Sequence, residues 1–195
     1  MAGTLSAILG LQLRPPRRLS RHVQRWRPRM TDATVTPEFT IQRTFKAPID
    51  RVFDAWADPV QMARWSGPEG TQVTVLSGNI ATGATLHARS DAADGAVLYT
   101  LCDYRTVDRP DHLVYDQSFA DAEGNVVPCP FFDAWPATLR TDIRFEAVEG
   151  GTRITLRWIP VDPTAEQAAS FVAAMDSMTG GWSGSFDKLD SYLAA

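Results

Sequence analysis

From residue 38 onward the chain alternates and then winds in patterns that can be read element by element. Phe39, Ile41, Arg43 and Phe45 alternate with Thr40, Gln42 and Thr44, the period of two that marks a strand. Lys46-Ala47-Pro48 ends that run, and Pro48 suits the first turn of a helix. Ile49, Val52, Phe53 and Trp56 follow at spacings of three and four, which predicts a short amphipathic helix. Asp58-Pro59 breaks it. Met62 and Trp65 then fit a second short helix, closed by Gly67-Pro68.

Residues from about 71 to 160 read as strands. Val73 and Val75 alternate, Gly78 and Gly83 mark turns, and Leu86 and Ala88 belong to the next strand. Val97, Tyr99 and Leu101 interleave with Leu98, Thr100 and Cys102, so that strand has apolar residues on both faces. Leu113, Tyr115, Gln117 and Phe119 share a face, and Asp121 to Asn125 form a polar turn. Leu139, Thr141, Ile143 and Phe145 are predicted to face inward, against Arg140, Asp142, Arg144 and Glu146 outward. After the tight turn at Gly150-Gly151, Ile154, Leu156 and Trp158 face inward and Arg153, Thr155 and Arg157 outward.

The chain finishes in a long helix opened by Asp162-Pro163-Thr164. Ala168, Phe171, Met175, Met178, Trp182, Phe186, Leu189 and Leu193 recur at three or four, a stripe of roughly 40 Å that needs a large apolar partner. A curved antiparallel sheet supplies one. The order of one strand, two short helices, a run of antiparallel strands and one long helix is that of the α+β helix-grip class. In that class the sheet wraps the terminal helix and a cavity usually remains between them.

Charge divides the chain in two. Of 19 Lys and Arg and 23 Asp and Glu, seven arginines lie in residues 1–29 with no acidic residue, so the remainder carries 12 basic against 23 acidic groups, a net of −11. An acidic body is a poor partner for nucleic acid, because phosphate contacts need clustered cations. Residues 1–37 are expected to be a basic, disordered extension and residues 38–195 the folded domain. For the first 29 residues a disordered basic arm, a transit peptide and a mis-assigned start remain alternatives. Met30-Thr31-Asp32 resembles an ordinary bacterial start, and Arg and Pro richness is what translated GC-rich upstream DNA would give. No stretch approaches the roughly 20 apolar residues that span a bilayer. Cys102 and Cys129 form no CxxC, and His22, His87 and His112 show no metal-ligand spacing. No metal and no cofactor is therefore expected, and the expected compartment is a reducing cytoplasm.

Four stretches resemble the Hsp90-ATPase-activator-like (AHSA1-like) branch of the START/Bet v1 (SRPBCC) superfamily. They are FTIQRTFKAPIDRVFDAWADPVQMARWSGPEG at 39–70, YRTVDRPDHLVYDQSF at 104–119, GGTRITLRW at 150–158 and GGWSGSFDKLDSYL at 180–193. Their order covers nearly all of 38–195 and is specific for fold more than for function. The resemblance implies a single helix-grip domain with an internal cavity. In the eukaryotic co-chaperones of this branch, the domain accompanies a separate Hsp90-binding domain to which nothing in this chain corresponds. One departure stands out. VVPCPFFDAWPA at 126–137 places three prolines and three aromatics where the family has a short turn, giving a lid over the cavity, a homodimer contact, or packing at the domain's own edge.

The candidate ligand-binding residues are Trp65, His87, Tyr99, Tyr115, Phe131, Trp135, Trp158, Met175, Met178 and Trp182. Trp65 and Trp182 are the resemblance's most recognisable positions, and aromatic rings facing a cavity can stack on a flat ligand. Tyr99, Tyr115 and Trp158 are predicted to point inward. Met175 and Met178 lie on the inward helical stripe, where methionine serves adaptable binding surfaces and plain core alike. His87 would titrate near neutral pH if it faced the cavity, against a structural or surface role. Phe131 and Trp135 belong to the 126–137 loop. Gly180, Gly181 and Gly184 each cost a helix about 1 kcal/mol, which suggests close packing or a kink.

No GxSxG or paired-carboxylate signature appears, and no catalytic residue is assigned. Cys102 reads as buried and unreactive. Three functions stay open. One is a cavity protein for a small lipid-like, polyketide-like or aromatic ligand. Another is an enzyme of the polyketide cyclase or aromatase type, which needs ionisable groups converging in the cavity. The last is a chaperone-associated or protein-interaction module.

Overall fold

The computed structural model describes residues 36–67 and 69–195. The expectations for the basic segment and for Met30 concern residues outside this range. The chain runs β1 (Phe39–Phe45), α1 (Ile49–Ala57), α2 (Pro59–Trp65), β2 (Gln72–Gly78), β3 (Thr85–Asp91), β4 (Val97–Asp108), β5 (His112–Ala120), β6 (Leu139–Val148), β7 (Gly151–Pro160) and α3 (Ala165–Ala194). Seven strands form one antiparallel sheet in the order β1-β7-β6-β5-β4-β3-β2. The strands from β2 to β7 are a meander, and β1 joins it at the far edge beside β7. This is the helix-grip arrangement of a curved sheet holding a 30-residue terminal helix.

Local chemistry sets the joints. Asp58 Oδ1 accepts from the backbone N–H of Val60 (2.8 Å) and Gln61 (2.9 Å), so the residue that ends α1 also caps α2. Thr164 and Gln167 form a reciprocal capping box at the start of α3. The β6–β7 turn places Gly151 where an added Cβ would lie 1.9 Å from the carbonyl oxygen of Phe45, so only glycine lets β1 end beside it. Shifts of register between Val75 and Ser77 and between Tyr104 and Thr106 mark bulges, which add to the bend of the sheet.

The inward positions of β6 and β7 are as the alternation requires: Thr141, Ile143, Phe145, Ile154, Leu156 and Trp158 are buried. Their outer neighbours pair across the strands, as Arg153 does with Glu146 at 2.7 Å. Buried residues on α3 are Phe171, Ala174, Met178, Gly181, Ser185, Phe186 and Leu189, the face that meets the sheet. The expectation of close packing at the helical glycines fails for Gly180 and Gly184. A Cβ added at either would meet nothing within 4 Å.

Candidate functional site

Between the sheet and the second half of α3 lies a cavity of about 160 Å³. Trp56, Met62 and Trp65 of the two short helices close one side, together with Ser66 and Gly67 of the following turn. The floor is strand parity at work. Leu86 and Ala88 of β3, Leu98, Thr100 and Cys102 of β4, and Leu113, Tyr115 and Gln117 of β5 are alternate residues sharing the concave face. Tyr104 lies beyond them on β4, Trp158 enters from β7, and Gly181, Trp182 and Ser185 present the helix.

The tryptophans form a connected set. Trp56 meets Trp65 edge-on at 4.5 Å between ring centroids and stacks with Trp182 at 6.2 Å; Trp182 in turn meets Trp158 edge-on at 5.3 Å. Two of the four indole N–H groups are held by protein: Trp65 donates to the Ala55 carbonyl and Trp158 to Oγ1 of Thr141, each at 2.8 Å. The other two, on Trp56 and Trp182, are buried with no protein partner, and so is the hydroxyl of Ser66. All three of these groups belong to residues lining the cavity.

Ionisable chemistry in the lining is restricted. Its residues include no Asp, Glu, His, Lys or Arg. Burial pushes the Cys102 thiol up to about 12 and raises the Tyr104 and Tyr115 hydroxyls well above their ordinary range, so all three stay protonated at neutral pH. Just outside, Lys188 of α3 donates to the carbonyls of Ser66 (3.1 Å) and Thr71 (3.2 Å), tying the helix to the turn that forms one cavity wall. Burial lowers its pKa.

Of the sequence candidates, Trp65, Tyr115, Trp158 and Trp182 line this cavity. His87 and Tyr99 do not. Their neighbours Leu86, Ala88, Leu98 and Thr100 take the concave face, which sends His87 and Tyr99 to the opposite one. There the two rings lie 5.9 Å apart, and Nε2 of His87 sits 3.1 Å from the Asp121 carbonyl of the polar turn. Met178 is fully buried core and Met175 packs against that core; neither reaches the cavity.

None of the residues of the 126–137 loop lines the main cavity. Phe131 packs edge-on against Phe119, Phe132 stacks on Trp135, and Trp135 lies against Phe171 at the start of α3. Gln167 fixes the loop by donating to the Trp135 carbonyl at 3.1 Å. Trp135 instead borders a void of about 10 Å³ beside Gln117, Leu139 and Trp158. The residues that sequence reasoning missed, above all Trp56, Ser66, Thr100 and Gln117, had signals of ordinary helix, turn or strand. Only Trp56, on the predicted amphipathic face, offered an aromatic clue.

With this geometry in view, the comparisons decide the family. The profile described as "Activator of Hsp90 ATPase homolog 1-like protein" matches residues 46–194. The chain belongs to this family. Proteins of known structure are similar to the chain throughout the domain. A crystal structure from Mycobacterium smegmatis is 26% identical with a TM-score of 0.67, over 82% of this chain and 92% of that one. A solution structure from Arthrobacter aurescens gives 26% and 0.67, over 80% and 86%. Another from Staphylococcus epidermidis gives 26% and 0.64, over 85% and 94%. No curated protein matches the sequence. Among the described residues no helix is long and apolar enough to cross a membrane, and no His, Cys, Asp or Glu group has metal-binding geometry.

Proposed function

We propose that this domain binds a small, flat, mostly apolar molecule in the cavity between the sheet and α3. The observation that carries the reading is a cavity of about 160 Å³ walled by four tryptophans and by aliphatic side chains of three strands. Protein interiors are normally packed to crystal density, and a void of this size forgoes dispersion contacts that a guest would restore. A cavity of roughly 150 Å³ in an engineered protein core admits a benzene-sized guest. The guest, or the portion of it held inside, is therefore about one ring in size, which favours an aromatic metabolite over a long lipid or a polyketide chain. A cyclase-type reaction would need a carboxylate, imidazole or amine aimed at the guest, and the lining offers none.

The test is a titration with one-ring and two-ring aromatic compounds, followed by tryptophan fluorescence and thermal shift. Saturable binding of one-ring compounds is expected. Ala88→Leu, which fills the space from β3, should abolish binding while keeping the wild-type melting temperature. The reading fails if no compound in the series binds, or if the filled variant binds as well as the parent.

A further inference from the structure

Cys102, Gln117 and Leu139 stand side by side as Cα partners across the ladders that join β4, β5 and β6. Cys102 lines the main cavity, Leu139 lines the void of about 10 Å³, and Gln117 between them lines both. Trp158 is the other residue common to the two linings. Gln117 and Trp158 are therefore what stands between the spaces. On its far side the void is bounded by Trp135, Pro136 and Ala137 of the 126–137 loop. Alone it has room for about one water molecule, so it matters to a ligand only as an extension of the larger cavity.

The two partition residues are held very differently. Trp158 is buried, donates its indole N–H to Thr141 at 2.8 Å and meets Trp182 edge-on at 5.3 Å. Turning it would break that bond and disturb the tryptophan set. Gln117 is half-buried, and among the described residues no group bonds its side-chain amide. Its three side-chain torsions can move between staggered wells without breaking any bond to the protein. We infer that Gln117 is a specificity-determining residue, a movable partition that turns aside to join the void to the main cavity. The ligand is then a ring carrying a short substituent, with the 126–137 loop as the end wall that limits its length. The substituent is apolar, because Phe119, Trp135, Pro136, Leu139 and Trp158 surround the space it enters. This inference rests on the cavity-binding reading and adds to it the direction in which the ligand extends.

Toluene and propylbenzene, which share the ring and differ by two methylenes, test it on the full chain. Affinities are read by titration of the parent, Gln117→Ala and Gln117→Leu. The Trp135 indole resonance is followed in ¹H–¹⁵N correlation spectra of the parent, assigned with Trp135→Phe. Trp135 borders the void and not the main cavity, so propylbenzene is expected to move its resonance and toluene to leave it in place. Each methylene taken from water into an apolar site adds about fourfold to affinity. Removing the partition in Gln117→Ala should therefore raise the preference for propylbenzene over toluene several-fold, up to roughly tenfold. Gln117→Leu, which refills the position, should keep the parent's preference. Because the Trp135 shift is read on unmodified protein, a variant that folds poorly does not remove the test. The inference is overturned if bound propylbenzene leaves Trp135 still, if toluene binds the parent and propylbenzene does not, or if the preference is the same in Gln117→Ala. It is equally overturned if Gln117→Leu gains as much as Gln117→Ala, since the amide's polarity and not its bulk would then set the preference. In each of those outcomes the cavity reading survives. Should neither compound bind the parent, the cavity reading fails and this inference with it.

Discussion

Trp158 and Thr141 face each other across the β6–β7 ladder, and the indole N–H of one donates to the hydroxyl of the other at 2.8 Å. Thr141 is fully buried, so one small side chain orients a cavity wall. Thr141→Val keeps the volume and removes the bond. We expect a loss of about 1–3 kcal/mol in urea unfolding, because a buried indole N–H is left unmet. Stability equal to the parent would show that the indole finds another partner.

The helical glycines make an opposite prediction. Gly180 and Gly184 have room for a Cβ and lie inside a regular helix. Gly180→Ala should raise stability by about 0.5–1 kcal/mol, and Gly184→Ala likewise. Gly151→Ala should lower it by more than 1 kcal/mol, since its methyl group would collide with the Phe45 carbonyl. Thermal unfolding of the three variants checks the order, and a destabilised Gly180→Ala would show that the flexibility of α3 is itself needed.

Asp116 sits on the outer face of β5, where burial would raise its carboxyl. Bonds from Arg140 (2.8 Å) and Arg105 (3.0 Å) outweigh that and hold its pKa below the ordinary 3.8. The folded chain thus binds this proton less readily than the unfolded chain. The resulting stability is fully present above pH 3.8 and is lost as pH falls through the lower folded value. Asp116→Asn should cost about 1–2 kcal/mol at pH 7 and soften the acid loss below pH 4. The cost stays modest because both arginines are half exposed and can return to water. Urea curves at pH 3, 4 and 7 that run parallel for parent and variant would refute this.

Cys102 should be the slower thiol. Burial holds it protonated with its pKa at about 12, whereas Cys129 lies in the edge loop and is raised less strongly. The thiolate is the reactive form. Labelling of native protein at pH 8 should modify Cys129 first, and a bound one-ring aromatic compound should slow Cys102 further without changing Cys129. Mass mapping of the labelled peptides reads both rates, and equal rates would place the two thiols in equivalent surroundings.

How much of this was legible in the sequence depends on which residues carried a pattern. β6, β7 and α3 each put polar residues on one side and apolar on the other, so alternation and helical period fixed their inward faces, including Trp158 and Trp182. β1 and the two short helices were marked by their own periods and by Asp58-Pro59. β4 is different. Leu98 and Tyr99 are both apolar enough to face inward, and a strand's side-chain period of two turns a one-residue ambiguity into the wrong face. That ambiguity points Tyr99 at the cavity in the sequence, and His87, opposite Leu101 on β3, shares the face of Tyr99. Pairing with β5 places Thr100 and Cys102 on the concave side. The loop at 126–137 announced its apolar residues but not their partners. Whether Phe131 meets Phe119 or covers a cavity mouth depends on contacts remote in sequence.

The sequence alone therefore determined the order of elements, the faces of the strongly amphipathic ones and the family. Local propensity and period are written in neighbouring residues. Tertiary structure decided the register of the two-faced strands, the position of the loop and the satisfaction of each indole N–H. A hydrogen bond such as that between Trp158 and Thr141 joins groups 17 residues apart. Trp56 and Trp182 look no different in the chain from their satisfied neighbours, and only the assembled walls show which indole N–H groups find an acceptor in the protein.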